Sequence, residues 1–555
     1  MTVRAVAGPD APTRRDSARR MAGQLAGALR AGGSRHVFGV PGGGNNLDMI
    51  GAAQEVDLDF VLGHTETAAA IAAAVYADIT GTATACLVTR GPGATSAVNG
   101  LAQAMLDRQP LVLVTDVVGV AGRPRTTHQS VDQRGILGSL ALGSATLGHH
   151  GGEQVGAAAV ALATGWQPGP VHLDFDPDYP HLDQLPSGDR IGASRLPAAA
   201  VALLRASCRP VAIVGVGALG AADVVREFLL GTGIPALQTY RATGVLPAQA
   251  PGAAGSFTGA AAEQPLLDQA DLVLCIGFDA VEAIPGPWTA PAPVLSLGAW
   301  ARADAYLPEH LEVVGDLSIL VPAAAVHLSS SWEPGAAAMH RAEIDRALRA
   351  SAPTSSGLHP HQVVDAVGRL MGRQTTVTVT VDAGAHMLVA MALLPARRPR
   401  QVLVSSGLAT MGFALPAAIG VALARPHDRV VCLTGDGGLA MVLGELETIA
   451  RLGLPVTVVV FNDSALTLIE LKQDDEGQGG PAAVHYRPTD FAAAAGALGI
   501  PGQRISCLEE LDRALSASAT APGPALLDVR VDPTSYVEAM KVLRGARACL
   551  RPVGS

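Results

Sequence analysis

The sequence predicts an α/β fold of three domains, each a mostly parallel sheet flanked by helices. Its 555 residues are several times the ~100–200 of a single domain. Short apolar runs that stop at glycine or polar turns alternate with longer helical patterns from end to end, the signature of βαβ units. Two polar joints, "LDQLPSGDRIGASRLP" and "SAPTSSGLHP", part the chain into three such blocks.

In order, residues 1–20 carry paired arginines and no apolar core, so they read as a flexible arm and not as a secretory signal. Residues 21–185 hold the strands "HVFGV", "ACLVT" and "PLVLVTD" and close with "GPVHLDFDPDYP". Residues 190–345 hold "PVAIVG" and "ADLVLCIG", and residues 356–555 hold "TTVTVTVDAG", "RVVCLTGDG" and "PVTVVVFND". The first and third blocks show little common sequence. Residues 401–424 are uncharged over a length that could span a bilayer, but their serines, glycines and Pro416 suit a buried segment of a large core.

Composition narrows the partners. A formal charge of -10 and two lysines, Lys472 and Lys541, leave no basic stripe for nucleic acid. Six dispersed cysteines form no CxxC or Cys/His cluster, which argues against a zinc site or disulfide framework and fits a cytoplasmic protein.

Three features bear on chemistry. The alanine-rich helix "HTETAAAIAAAVYADITG" begins with Glu66 behind Thr65, a place the helix dipole alone would favour for a carboxylate. The second block has Gly215, Gly217 and Gly220 in GxGxxG spacing, yet no acidic residue occurs between Glu227 and Glu263 to hold a ribose. A tight strand-to-helix turn accounts for these glycines better than a bound NAD. In the third block, "RVVCLTGDGGLAMVLGELETIARLGLPVTVVVFND" reads as a βαβ unit that puts Asp436 and Asp463 at the carboxyl ends of two strands. Two such oxygen donors suit Mg²⁺, and the glycines let backbone amides approach a phosphate. The plainer reading is a turn followed by a strand-end cap.

Gly435-Asp436-Gly437, then 24 residues, then Asn462-Asp463, resembles the thiamine-diphosphate (ThDP) motif of the family that includes acetolactate synthases, pyruvate oxidases and 2-keto acid decarboxylases. The likeness extends over nearly the whole chain. "VFGVPGGGNNLDMI", with Gly43 and Gly44, resembles the family's first glycine loop; "TRGPGATSAVNGLAQAMLDRQPLVLVTD", with Pro92, its GPG segment; and "SSGLATMGFALPAAIG" its cofactor-wedge segment. The resemblance implies a pyrimidine-binding, a central Rossmann-like and a diphosphate-binding domain. It implies that Asp436, Asp463 and the carbonyl of Ala465 hold Mg²⁺ on the diphosphate, beside Gly438 and Leu466. Gly384, Ala385 and His386 match the segment that lines the diphosphate, and Met411 the side chain that supports the bent cofactor. Glu66 matches the glutamate that meets the aminopyrimidine, and His128 and Gln129 the substrate-side loop; for the histidines a plain hydrogen-bonding role stays open.

Among its members the chain looks most like the FAD-independent, catabolic-type acetolactate synthases, through "CIGFDAVEAIPGPW" and "FNDSALTLIELKQ". The FAD-dependent members have a Met-His-Gly element where this chain has "AGSFTGAA", so the resemblance implies no bound flavin. The implied reaction is decarboxylation of a 2-keto acid with carboligation, as in two pyruvates giving acetolactate and CO2. The alternatives are another ThDP-dependent lyase, decarboxylase or acyl-transferring enzyme; a silent homologue would ordinarily have lost Glu66 or the GDG motif. Four departures stand out: Ala409 where the family usually has glycine, Asp463 where it has asparagine, His64-Thr65 before the glutamate, and no counterpart of the synthases' lysine in the first block. The family arrangement implies a homodimer or homotetramer with active sites at subunit interfaces. There the alanines after Glu66 would let that helix pack beside a partner chain.

Overall fold

The computed structural model describes residues 13–119, 125–149, 151–188, 192–284, 286–302, 304–307, 310–350, 357–473 and 481–545. They form three six-stranded sheets in which every strand pair is parallel. Because helices cover both faces, strands are buried along their length: all seven residues of "VTVVVFN" are buried, as a doubly covered parallel sheet requires. The chain packs as two compact units, residues 1–189 and 190–555, and the second carries two of the three sheets.

The first sheet comprises β1 (His36–Val40), β2 (Asp59–Leu62), β3 (Thr84–Val88), β4 (Leu111–Asp116), β5 (Gly143–Leu147) and β6 (Val171–Phe175), in the order β2-β1-β3-β4-β6-β5. The second comprises β7 (Pro210–Val214), β8 (Ala236–Gln238), β9 (Ala253–Ser256), β10 (Leu272–Ile276), β11 (Val294–Gly298) and β12 (His310–Val314), in the order β12-β11-β10-β7-β8-β9. That is the doubly wound Rossmann order. The third comprises β13 (Val377–Val381), β14 (Val402–Val404), β15 (Arg429–Gly435), β16 (Val456–Asn462), β17 (Gly502–Ile505) and β18 (Ala525–Arg530), ordered β14-β13-β15-β16-β18-β17.

The first and third sheets thus share one topology despite little common sequence. Each sheet also has a switch point, where successive connections leave in opposite directions and open a crevice at the carboxyl ends of the strands. The switch points fall between β1 and β3, β7 and β10, and β13 and β15.

Two sequence expectations meet the structure directly. A helix runs Arg14–Ala31, capped by Thr13, so residues 14–20 of the supposed arm are helical; residues 1–12 lie outside the described residues. The uncharged stretch 401–424 divides into β14 and the 11-residue helix Ala414–Ala424. Among the described residues no helix is long and apolar enough to cross a membrane.

Candidate active site

The crevice at the β13/β15 switch point is a cavity of about 230 Å³. Gly384, Ala385 and His386 follow β13, Gly435, Asp436, Gly437 and Gly438 end or follow β15, and Asp463, Ala465 and Leu466 follow β16; all of them line it. Ala409 and Met411 join from the segment before the helix Ala414–Ala424. Every third-block residue to which the resemblance gives a cofactor or metal role therefore lines one space. Phe461, Thr467 and the buried Tyr536 line it as well and carry no local sequence signal.

The two carboxylates are held from several sides. Asp436 accepts from the amides of Gly437 and Ser464, both at 2.6 Å, and Asp463 accepts from the Thr467 hydroxyl at 2.6 Å. Burial pushes the Asp463 carboxyl up to about 7, against the Thr467 hydrogen bond and with the help of the Asp436 charge. Burial raises Asp436 too. Ala465 pairs with His485 in an isolated bridge that engages the carbonyls of Ser464 and Val484, and not that of Ala465. Among the described residues no cluster of three or more His, Cys, Asp or Glu is placed to hold a metal, so a cation here needs oxygens from elsewhere.

Asp382, at the end of β13, is a residue the sequence reading missed. Its buried carboxyl accepts from Thr434 Oγ1 at 2.9 Å and from the amides of Ala383 at 2.9 Å and Phe413 at 3.2 Å. A Cβ at Gly438 would come within 2.7 Å of Asp382 Oδ2. This one carboxyl, raised to about 6 by burial, ties together three of the four segments that shape the cavity, leaving the loop after β16 apart. A lone aspartate closing a strand was the available signal.

His386 is buried and stacks on Phe461 with centroids 5.1 Å apart, and its Nε2 has no partner. Burial lowers its ring to about 4, with a hydrogen bond to the Leu433 backbone acting the other way. Ala409 has φ of 52°, the left-handed region that a Cβ disfavours, which gives a physical reason for glycine at this position.

In the first unit, Thr65 caps the helix Glu66–Thr80 by accepting from the Ala68 amide at 3.1 Å, which sets Glu66 in its first turn. Gly93 of the GPG loop lies against it: a Cβ there would sit 3.2 Å from Glu66 Oε1 and 2.8 Å from Thr89 Cγ2. Pro92 begins the short helix Pro92–Ser96. The alanines after Glu66 are buried by their own unit, not held for a partner. A Cβ on Gly100 would come within 2.6 Å of Ala70, so two helices of one domain use the small side chains.

Gly43 and Gly44 lie on the loop after β1, with open space where their side chains would be. His128 and Gln129 are exposed. Gln129 adopts φ of 56°, and its backbone packs on Gly91, where a Cβ would meet Gln129 O at 2.7 Å. The Gly91 amide donates to Gln133 Oε1 at 3.0 Å. The buried Gln133 in turn donates to the Asp116 carbonyl and to Asp174 Oδ1, at 3.0 and 3.1 Å.

The crevice of the central domain is closed by its own chain. Glu282 Oε2 accepts from the Val216 amide at 2.8 Å and Oε1 from Thr239 Oγ1 at 2.6 Å. A dinucleotide's diphosphate would need such amides at a glycine turn. A Cβ on Gly215 would come within 2.5 Å of Phe278, so the glycines serve close backbone packing.

Comparison with known proteins agrees with this architecture. Models of the thiamine pyrophosphate enzyme N-terminal TPP binding domain, central domain and C-terminal TPP binding domain match residues 19–136, 197–323 and 382–529. The chain is 31% identical over 530 residues to acetolactate synthase isozyme 2 large subunit of Escherichia coli (strain K12), covering 91% of this chain and 94% of that one. It is 29% identical to acetolactate synthase of Bacillus subtilis (strain 168), covering 90% and 91%. It is also 29% identical to the catabolic acetolactate synthase of Raoultella terrigena, covering 91% and 93%. With three domain models in chain order on three parallel sheets, the chain belongs to the thiamine diphosphate-dependent enzymes, in their acetolactate synthase-like family.

Proposed function

We propose that this enzyme decarboxylates a 2-keto acid and ligates the remaining fragment to a second keto acid, as two pyruvates would give acetolactate and CO2. The observation that carries the reading is the convergence of Asp436, Asp463, the GDGG amides and Met411 on one cavity, in a chain that also sets Glu66 against its GPG loop. The residues suit the cofactor. Two carboxylates provide part of an oxygen set for Mg²⁺, which completes its shell with phosphate and water. The buried, unpartnered His386 Nε2 belongs to a ring lining the cavity, and a polar atom of that kind calls for a ligand.

In this reading Asp436, Asp463 and the Ala465 carbonyl would hold Mg²⁺, and the amide of Gly438 would donate to a diphosphate oxygen, that of Gly437 being engaged by Asp436. Thiamine diphosphate, when bound, supplies the nucleophilic carbon and the electron sink for loss of CO2. Glu66 would hold and move the proton at the pyrimidine N1' atom, Met411 would support the bound ring system, and the Ala409 carbonyl would accept from the pyrimidine amino group. His128 and Gln129 face the substrate side.

Glu66 belongs to the first unit and the diphosphate cavity to the second, and we place the active sites at interfaces of a homodimer or homotetramer. Leu47 and Leu62 on the first unit and Met441 and Ile469 on the second are exposed apolar residues that would suit such contacts. The five described cysteines, all free thiols, suit a cytoplasmic enzyme.

The test is incubation of purified protein with ThDP, Mg²⁺ and pyruvate, and in parallel with a panel of other 2-keto acids. Acetolactate, read as acetoin after acid treatment, is the expected product. No CO2 and no product from any member of the panel would overturn the proposal.

A further inference from the structure

The first domain contains no lysine, so a substrate carboxylate reaching its switch point needs another cation. The crevice there lies between the loop after β1, Pro41 to Gly44, and the loop after β3, Thr89 to Gly91. The two loops interlock. Asn46 Oδ1 accepts from the Gly42 amide at 2.9 Å, and its Nδ2 donates to the Val88 carbonyl at 3.4 Å. A Cβ on Gly42 would meet Thr89 Oγ1 at 2.4 Å, whereas Gly43 and Gly44 border open space.

Arg90 stands in the second of these loops, three residues before Gly93, which contacts Glu66. Its neighbour Gly91 is fixed through Gln133. Arg90 is partly buried, and its guanidinium makes no hydrogen bond or ion pair to any described residue. Three other arginines of this unit are paired: Arg14 with Asp178 at 2.8 Å, Arg19 with Asp48 at 3.5 Å and Arg134 with Asp183 at 3.0 Å. The acidic group that feels Arg90 is Asp116. That carboxyl is buried, is raised by its burial, and already accepts from Asn45 Nδ2 at 2.7 Å. Arg90 thus follows β3 at the carboxyl edge of the sheet with Asp116 as an electrostatic neighbour but with no direct ion pair to a described residue.

We propose that Arg90 is a specificity-determining residue, whose guanidinium receives the carboxylate of the 2-keto acid at the crevice between β1 and β3. Arginine suits the task because its planar donors match a carboxylate two at a time, and it stays charged at every working pH. The assignment rests on the reading of the protein as an enzyme of 2-keto acids.

The test uses the holoenzyme, saturated with ThDP and Mg²⁺, as wild type, Arg90→Gln and Arg90→Lys. Steady-state kinetics with the 2-keto acid that the wild type turns over fastest is combined with calorimetric binding of methyl acetylphosphonate, a monoanionic mimic of pyruvate. Arg90→Gln is expected to raise KM and weaken the mimic by roughly 10- to 100-fold, with ThDP affinity and Tm unchanged and partial rescue in Arg90→Lys. KM and mimic affinity within twofold of wild type overturn the role of Arg90. If Arg90→Gln does not fold, Arg90→Lys decides: the same affinity for the mimic as wild type overturns the proposal, and a weaker one at unchanged ThDP affinity supports it. A wild type inactive on every 2-keto acid instead refutes the underlying function, a result distinct from an active wild type that is indifferent to Arg90.

Discussion

Glu282 Oε2 lies 2.8 Å from the Val216 amide, so the glycine turn of the central domain is ligated by a carboxyl of its own chain. Burial pushes that carboxyl from an ordinary 4.5 up to about 8, with the hydrogen bonds from Thr239 and Val216 opposing. The folded state therefore binds this proton more tightly than the unfolded chain. The group's contribution to stability is full below pH 4.5 and is lost progressively as pH rises through 8.

Urea unfolding of wild type and Glu282→Gln at the two ends of that window checks the consequence. Wild type should lose on the order of a few kcal/mol more than the variant on going to the alkaline end. Equal losses would mean that Glu282 does not hold its proton.

The pair Asp436 and Asp463 predicts a second pH dependence. Both carboxyls are raised by burial, Asp463 to about 7, so Mg²⁺ must displace a proton to bind. Affinity for Mg²⁺–ThDP should rise as pH rises through about 7 and then level off. Calorimetry below neutrality, in two buffers of different ionisation heat, should detect release of a proton that Asp463→Asn abolishes. Binding without proton release in the wild type would count against two ionised ligands.

Ala409 holds a φ of 52°, and replacing it with glycine should relieve that strain. The gain is limited, because glycine also loses more entropy on folding: Ala409→Gly should stabilise by up to roughly 1 kcal/mol. Thermal denaturation measures it, and a destabilised variant would show that the alanine methyl contributes packing that outweighs the strain.

Gly93→Ala tests the contact with Glu66. The new methyl must fit at 3.2 Å from Glu66 Oε1 and 2.8 Å from Thr89 Cγ2, so the carboxylate or the loop has to move. Misplacing a reacting group by about 1 Å can cost roughly 100-fold in rate. Activity should fall by at least tenfold while ThDP binding and Tm change little. Full activity would show the carboxylate tolerant of displacement.

How much of this could be read from the residues depends on whether a function leaves a local pattern. Asp436 and Asp463 stand out because the spacing of a βαβ unit brings both to one edge, and the cavity holds them together with Gly384, His386 and Met411. Tyr536 does not stand out: it reaches the same cavity from a helix, Ser535–Arg544, that lies far along the chain. Asp382 has ordinary strand-end chemistry, and its importance appears once three loops are seen to converge on it. The GxGxxG turn shows the reverse case, a pattern whose expected ligand position is taken by a residue 66 positions away. The alanines after Glu66 hint at close packing but not at which surface they meet, and Gly100 of the same unit supplies it.

Proton exchange at the reactive carbon of bound ThDP tests the central claim most directly. Wild type and Glu66→Gln are compared by quenched-flow exchange into D2O, with Mg²⁺ present and cofactor occupancy measured on the same samples. Glu66→Gln should slow the exchange by roughly 10²- to 10⁴-fold at unchanged occupancy. An unchanged exchange rate in a fully loaded Glu66→Gln enzyme would contradict the account.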